Sequence, residues 1–163
     1  MKKGPYMVMY DRTNTERMSA LEFGTIRPGE MSREIEVWIW NKKNFDDAPT
    51  ATDVRVSVLP ANSFSEGIIE GKYIEVRSDG VMDPDNMGII NDAEPEFSGI
   101  GGELTEPGAY HSIGDIPTNC ARRLVFRLDL PEEQVLSGFP RFIFQIGYFS
   151  EEVKWLYVSD LTP

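Results

Sequence analysis

The sequence predicts an all-β chain, a single antiparallel sandwich of immunoglobulin-like type. Three observations carry that prediction. Apolar residues recur at every second position in four separate segments, at Ile35-Val37-Ile39, Val54-Val56-Val58, Leu124-Phe126-Leu128 and Phe142-Phe144-Ile146, the period of half-buried strands. No window longer than about 12 residues keeps a helical period. Gly and Pro, 14 and 11 in number, are spread along the chain rather than clustered, which suits many turns between short strands.

Taken in order, YMVMY (6–10) is a short β-prone segment in an N-terminal arm, 1–19. ALEFGTI (20–26) alternates, with Leu21 and Phe23 on one face, and RPGEMS (27–32) is a turn built on Pro28 and Gly29. REIEVWIWN (33–41) is the clearest strand. It sets Ile35, Val37 and Ile39 against Glu34, Glu36, Trp38 and Trp40, because side chains alternate strictly along a strand. NKKNFDDAPTAT (41–52) reads as a polar loop. DVRVSVLP (53–60) turns Val54, Val56 and Val58 inward and Arg55 and Ser57 outward, and KYIEVRSDG (72–80) offers Ile74 and Val76 to the core.

Residues 79–119 are rich in Gly, Pro, Asp and Asn and keep no period. They read as a long, mostly irregular insertion docked by Ile89, Ile90, Phe97 and Ile100, with short strands near 96–100 and 110–113. ARRLVFRLDLP (121–131) alternates again. PEEQVLSG (131–138) suits one helical turn started by Pro131. PRFIFQIGYFS (140–150) is apolar on both faces and reads as a central strand, and EEVKWLYVSD (151–160) completes a hairpin with it. No composition shift divides the chain, so one domain over 1–163 is expected.

Composition limits the function classes. The net charge is −11, from 27 acidic and 16 basic residues. A uniformly acidic surface repels phosphate backbones and anionic membranes, so neither nucleic acid nor membrane is an expected partner. Cys120 is the only cysteine, which excludes an intrachain disulfide. No stretch approaches the roughly 18 apolar residues of a membrane span. The N-terminus lacks an apolar run of signal-peptide length, so a soluble protein made in the cytoplasm without export is expected.

No motif carries chemistry. His111 is the only histidine, and it reads as an exposed loop residue. Its neighbours Ser112 and Asp115 form a nucleophilic set only if the fold gathers them. Paired carboxylates abound without any feature that selects a pair. DPDN (83–86) and NDAEPE (91–96) read first as turn chemistry and second as a weak cation site. GIGGE (99–103) lacks the P-loop lysine and reads as a turn or flexible tip. Cys120 reads as a small buried residue. No catalytic residue, metal or cofactor is expected.

The aromatic residues are the best pointer to function. Trp38 and Trp40 share the strand face opposite the core, and Trp155 and Tyr157 alternate in the same way near the C-terminus. Tryptophan is the residue most enriched at binding hot spots, so these four form a candidate interface. If the chain's own arm or loop covers the rings, they belong to the fold instead.

The succession of a Pro-Gly turn, a strand ending in Asn41, a polar loop and TDVRVSVLP, and later IGDIPTNCARRLVFRLDLP with a final hairpin, resembles immunoglobulin-like domains. The likeness spans about residues 20–60 and 113–158, and Lys42–Asn44 stand where those domains often carry glycine. Single-domain chains of this pattern are similar to structural proteins of tailed-phage virions, such as decoration, tail or baseplate components. The resemblance implies a non-enzymatic protein that works by assembly, as a homo-oligomer or within a larger particle. No functional residues come with it. The alternative is a carbohydrate- or protein-binding module that uses surface aromatics.

Overall fold

The computed structural model describes residues 7–13, 15–18, 20–41, 50–83, 88–90, 96–134, 138, 140–149 and 153–162, with backbone alone at 20, 79–83, 88–90, 149 and 153–162. Eleven strands stand among them: β1 (Met7–Tyr10), β2 (Ala20–Glu22), β3 (Ile35–Asn41), β4 (Ala51–Pro60), β5 (Ile74–Asp83), β6 (Gly88–Ile90), β7 (Ser98–Ile100), β8 (His111–Ile116), β9 (Cys120–Leu128), β10 (Phe142–Phe149) and β11 (Val153–Thr162). They form two packed sheets. One runs β1-β3-β9-β5, with β6 and β7 sharing the far edge of β5, and the other runs β2-β11-β10-β4-β8. The chain is an all-β sandwich, as the alternation predicts. Its pairings are antiparallel except at one edge, where β2 lies parallel to β11.

The middle strands of the two sheets, β9 and β10, face each other across the core. Phe126 of β9 and Phe144 of β10 meet edge to face at 5.2 Å between ring centroids, a favoured aromatic geometry. The stretch 140–150, read as a central strand, holds β10, which pairs with β11 on one side and β4 on the other. The expected core residues all join one buried cluster, with Ile35 alone at its margin. Burying apolar surface at about 25 cal/mol per Å² makes this inter-sheet layer the main source of stability.

The segment 79–119 departs from its expected irregularity. β5 runs on to Asp83, β7 pairs with Ile74–Val76, and β8 forms an edge of the second sheet against β4. The two expected short strands exist, and the second is longer than expected. Ile100 is fully buried in the main core, while the side chains of Ile89 and Ile90 lie outside the described residues. The turn-rich composition of this stretch punctuates short strands instead of replacing them.

GIGGE is not a flexible tip. It carries the chain from β7 in one sheet to the edge of β4 in the other, where the Gly102 N–H donates to the Val58 carbonyl at 2.9 Å. Gly99 and Gly101 lie so close to the backbone carbonyls of Lys72 and Ile69 that a Cβ at either would collide with them. Ile69 belongs to a short helix, α1 (Glu66–Glu70), which follows a 3-10 turn at Ser63–Ser65. The turn expected at Pro131 is present, with the Gln134 N–H bonded to the Pro131 carbonyl at 3.1 Å. Residues 135–137, the rest of the expected helical turn, lie outside the described residues.

Candidate functional site

Trp38 and Trp40 do occupy the face opposite Val37 and Ile39, since they form a second buried cluster with Val8 and Ala121, flanked by Tyr10. They are not an open aromatic surface. Their exposures are 5% and 3%, which makes both rings part of the fold and corrects their place in the candidate interface. β1 lies beside them as the neighbouring strand, pairing Val8 with Trp40 and Tyr10 with Trp38. On the other flank Ala121 stands opposite Trp40 and Arg123 opposite Trp38, its guanidinium 5.8 Å from the Trp38 ring. Trp155 and Tyr157 lie on β11, paired with Gly147 and Gln145, and their side chains lie outside the described residues.

The nucleophilic set does not assemble. His111 and Ser112 are consecutive in β8, so they point to opposite faces. His111 stands opposite inward-facing Val56 and is buried, not an exposed loop residue. Ser112 points outward and donates to Asp53 Oδ1 at 2.9 Å. Asp53 in turn holds Arg55 at 3.0 Å, while Arg55 donates to the Leu104 carbonyl at 3.1 Å and stacks on Tyr110 at 3.9 Å. Asp115 accepts from the Asp53 N–H at 2.9 Å. These bonds tie β4, β8 and the 101–110 crossing together. Ser57 points outward, as expected, and is buried beneath that crossing, where its hydroxyl reaches the Gly102 and Ala109 carbonyls at 2.7 Å.

Cys120 is half-buried beside the core. Residues 84–87 and 91–95, which hold most of the possible cation ligands, lie outside the described residues. Among the described residues no group of three or more His, Cys, Asp or Glu side chains is placed to hold a metal ion, and no helix is long and apolar enough to cross a membrane.

Among the described residues an open feature lies beside the tryptophans. A cleft of about 500 Å³ is lined by Asp11, Arg12, Met18, Arg33, Glu34, Ile35 and Glu36. It is a notch in the first sheet, and strand lengths explain it. β3 begins at Ile35, but β1 covers only Trp38–Asn41 of it before the chain turns away at Asp11. Backbone parity says which groups face the gap. Met9 and Asp11 bond outward, to Met18 and Glu16, so Val8 and Tyr10 bond toward β3, and their partners Trp40 and Trp38 bond back. The next position of β3 with that direction is Glu36. Its N–H and C=O therefore face the lane that β1 leaves. Ile35 sits at the core margin for the same reason, with β9 on one side only.

The turn that ends β1 is built by Asp11. Its Oδ1 accepts from the Thr13 hydroxyl at 2.7 Å and from the Thr15 and Glu16 amides at 3.3 and 3.4 Å. Trp38 Nε1 donates to the Arg12 carbonyl across a long 3.4 Å bond. The tryptophan thus shapes the notch without lining it. The hydrogen bond from the Thr13 side chain, joined by the backbone donors, holds the Asp11 carboxyl below its ordinary value of 3.8 against an opposing desolvation. A depressed carboxyl stabilises the folded turn above the ordinary value and loses that contribution as pH falls through the lowered one. The protection factors of the Thr15 and Glu16 amides, which remove the intrinsic pH dependence of exchange, are therefore expected to fall on acidification below about pH 4, and to be low already at neutral pH in Asp11→Ala. Unchanged protection of both amides in that variant would refute this account of the turn.

An all-β sandwich with a charged notch among its described residues is the class of protein that the fold and site define. No family model matches the sequence, and no curated protein does. Among solved structures, a family 123 glycoside hydrolase from Clostridium perfringens, studied for glycolipid glycan hydrolysis, superposes at a TM-score of 0.53 with 10% identity, over 98% of this chain. This chain spans only 27% of that hydrolase, so the likeness is one of fold. AvmM, which catalyses macrocyclization in alchivemycin A biosynthesis, gives a TM-score of 0.44 at 10% identity over 97% of this chain and 87% of AvmM. A mutant of the CFA/I enterotoxigenic E. coli adhesin CfaE gives 0.36 at 9% identity, over 96% and 46%. These last two scores carry no argument about shared architecture.

Proposed function

We propose that this chain is a non-enzymatic structural module that works through contacts with other protein subunits. A component of a tailed-phage virion is the particular form that the sequence resemblance implies. The observation that carries the reading is the notch at Glu36, where strand geometry turns one N–H and one C=O toward a lane that β1 does not fill. Open strand edges join chains to chains, whereas the Ser112 and Arg55 side chains tie β4, β8 and the 101–110 crossing to one another. A sugar-stacking platform would need exposed aromatic faces, and Trp38 and Trp40 supply none.

Light scattering on the purified chain across a hundredfold range of concentration tests this. A defined oligomer or ring is the expected result. A monomer at every concentration overturns assembly by this chain alone and favours a binding module.

A further inference from the structure

We propose that the notch is a docking site for an extended, basic segment of a protein partner, which adds to β3 as a strand in the lane that β1 leaves. This deepens the contact reading and rests on it. Glu36 presents one N–H and one C=O to that lane, and a strand edge is the simplest template for another strand. The lane is kept open by construction, because the Asp11 turn prevents β1 from continuing into it and the Trp38 indole pins that turn at Arg12.

The two sides of the lane differ, and this fixes the chemistry of the occupant. On the inner side lie the half-buried Ile35 and Met18. On the outer side stand the Glu34 and Glu36 carboxylates, with Asp11 at the rim. Arg33 is already engaged, donating to the Glu22 carbonyl at 3.0 Å, and Asp11 Oδ1 is engaged by the donors of its own turn, so the Glu34 and Glu36 carboxylates are set against Arg12 alone. A strand entering here meets apolar groups with one set of side chains and carboxylates with the other. Alternating apolar and basic residues satisfy both, and the net charge of −11 draws such a segment in.

The test uses the full chain and three labelled hexapeptides: alternating Lys-Val, alternating Glu-Val and alternating Lys-Val carrying a backbone N-methyl group at each lysine. The N-methylated peptide keeps the charge, but its lysines cannot donate strand hydrogen bonds to β3. The Lys-Val peptide is expected to bind at least about tenfold more tightly than either of the others, and to slow exchange of the Glu36 amide. Glu36→Pro removes the one N–H that faces the lane, at an edge position where proline is tolerated. It is expected to keep its melting temperature and lose the Lys-Val affinity by about tenfold or more. If that variant melts early, Glu36→Lys, which keeps the N–H and reverses the charge, is expected to weaken binding and flatten its salt dependence. Equal binding of all three peptides, or wild-type affinity in both variants, overturns the proposal. An oligomer that forms normally in Glu36→Pro overturns the notch as its contact and leaves the assembly reading standing. Lys-Val binding by a strict monomer does the reverse.

Discussion

Trp40→Ala is expected to destabilise the fold by roughly 3–5 kcal/mol, the range for truncating a large buried aromatic. The ring is 3% exposed and packs with Val8, Trp38 and Ala121, so its removal leaves a cavity on the outer face of the first sheet. For a chain of this size the loss corresponds to a fall in melting temperature on the order of 10 °C. Trp38→Ala is expected to cost a similar amount and also to release the Arg12 carbonyl. Urea and thermal melts measure both. If Trp40→Ala melts within about 1 kcal/mol of the parent, the ring is not a packed core residue and its role as an interface anchor returns. Because this cluster is separate from the inter-sheet core, its cost is expected to add to that of a substitution at Phe144.

The tryptophans show what a single sequence can and cannot tell. Their face was legible, because alternation along 33–41 leaves no choice. Their cover was not, because it comes from β1 and β9, residues about 30 and 80 positions away in a pairing that no local pattern encodes. Ser57 is the same case in reverse. Period two places it on the outer face of β4, and there it is, but the crossing at 101–110 lies over it and buries it. His111 reads as a loop residue in the sequence, within a stretch rich in glycine and proline. The register with β4 makes it a strand residue facing inward. The inter-sheet core was legible almost residue by residue, since each strand has one face that must be dry.

The notch carried a faint signal. Asp11 with Thr13 directly after YMVMY is a turn that a short polar side chain can close, and it stops β1 after four residues while β3 runs for seven. The mismatch in length is the notch. Reading it required knowing that these two strands pair, and at which register, which is long-range information. The edge of Ile35 in the expected core list was the same fact seen from inside: alternation placed it with Val37 and Ile39, and the missing neighbour left it at the margin.

Gly101→Ala is expected to cost about 3 kcal/mol, at the upper end for inserting one methyl into a packed site. The added Cβ would meet the Ile69 carbonyl oxygen well inside van der Waals contact, and would lie 3.1 Å from Ile69 Cγ2. A backbone carbonyl at the end of α1 cannot rotate away as a side chain would, so the crossing itself must move. That crossing holds the Gly101 N–H on the Ala109 carbonyl and the Gly102 N–H on Val58, both at 2.9 Å. It also carries the two carbonyls that receive the Ser57 hydroxyl, so a shift exposes a buried polar group as well as Leu104. Gly108→Ala is the control. Gly108 has a positive φ of 85° but open space around its Cα, so only left-handed strain of about 1–2 kcal/mol applies. Shortening Ile69 to Ala in the Gly101→Ala background should not restore the melt, because the obstructing atom is the carbonyl oxygen. Rescue by that second substitution would show that the side chain, rather than the backbone of α1, sets how closely the chain can cross between the sheets.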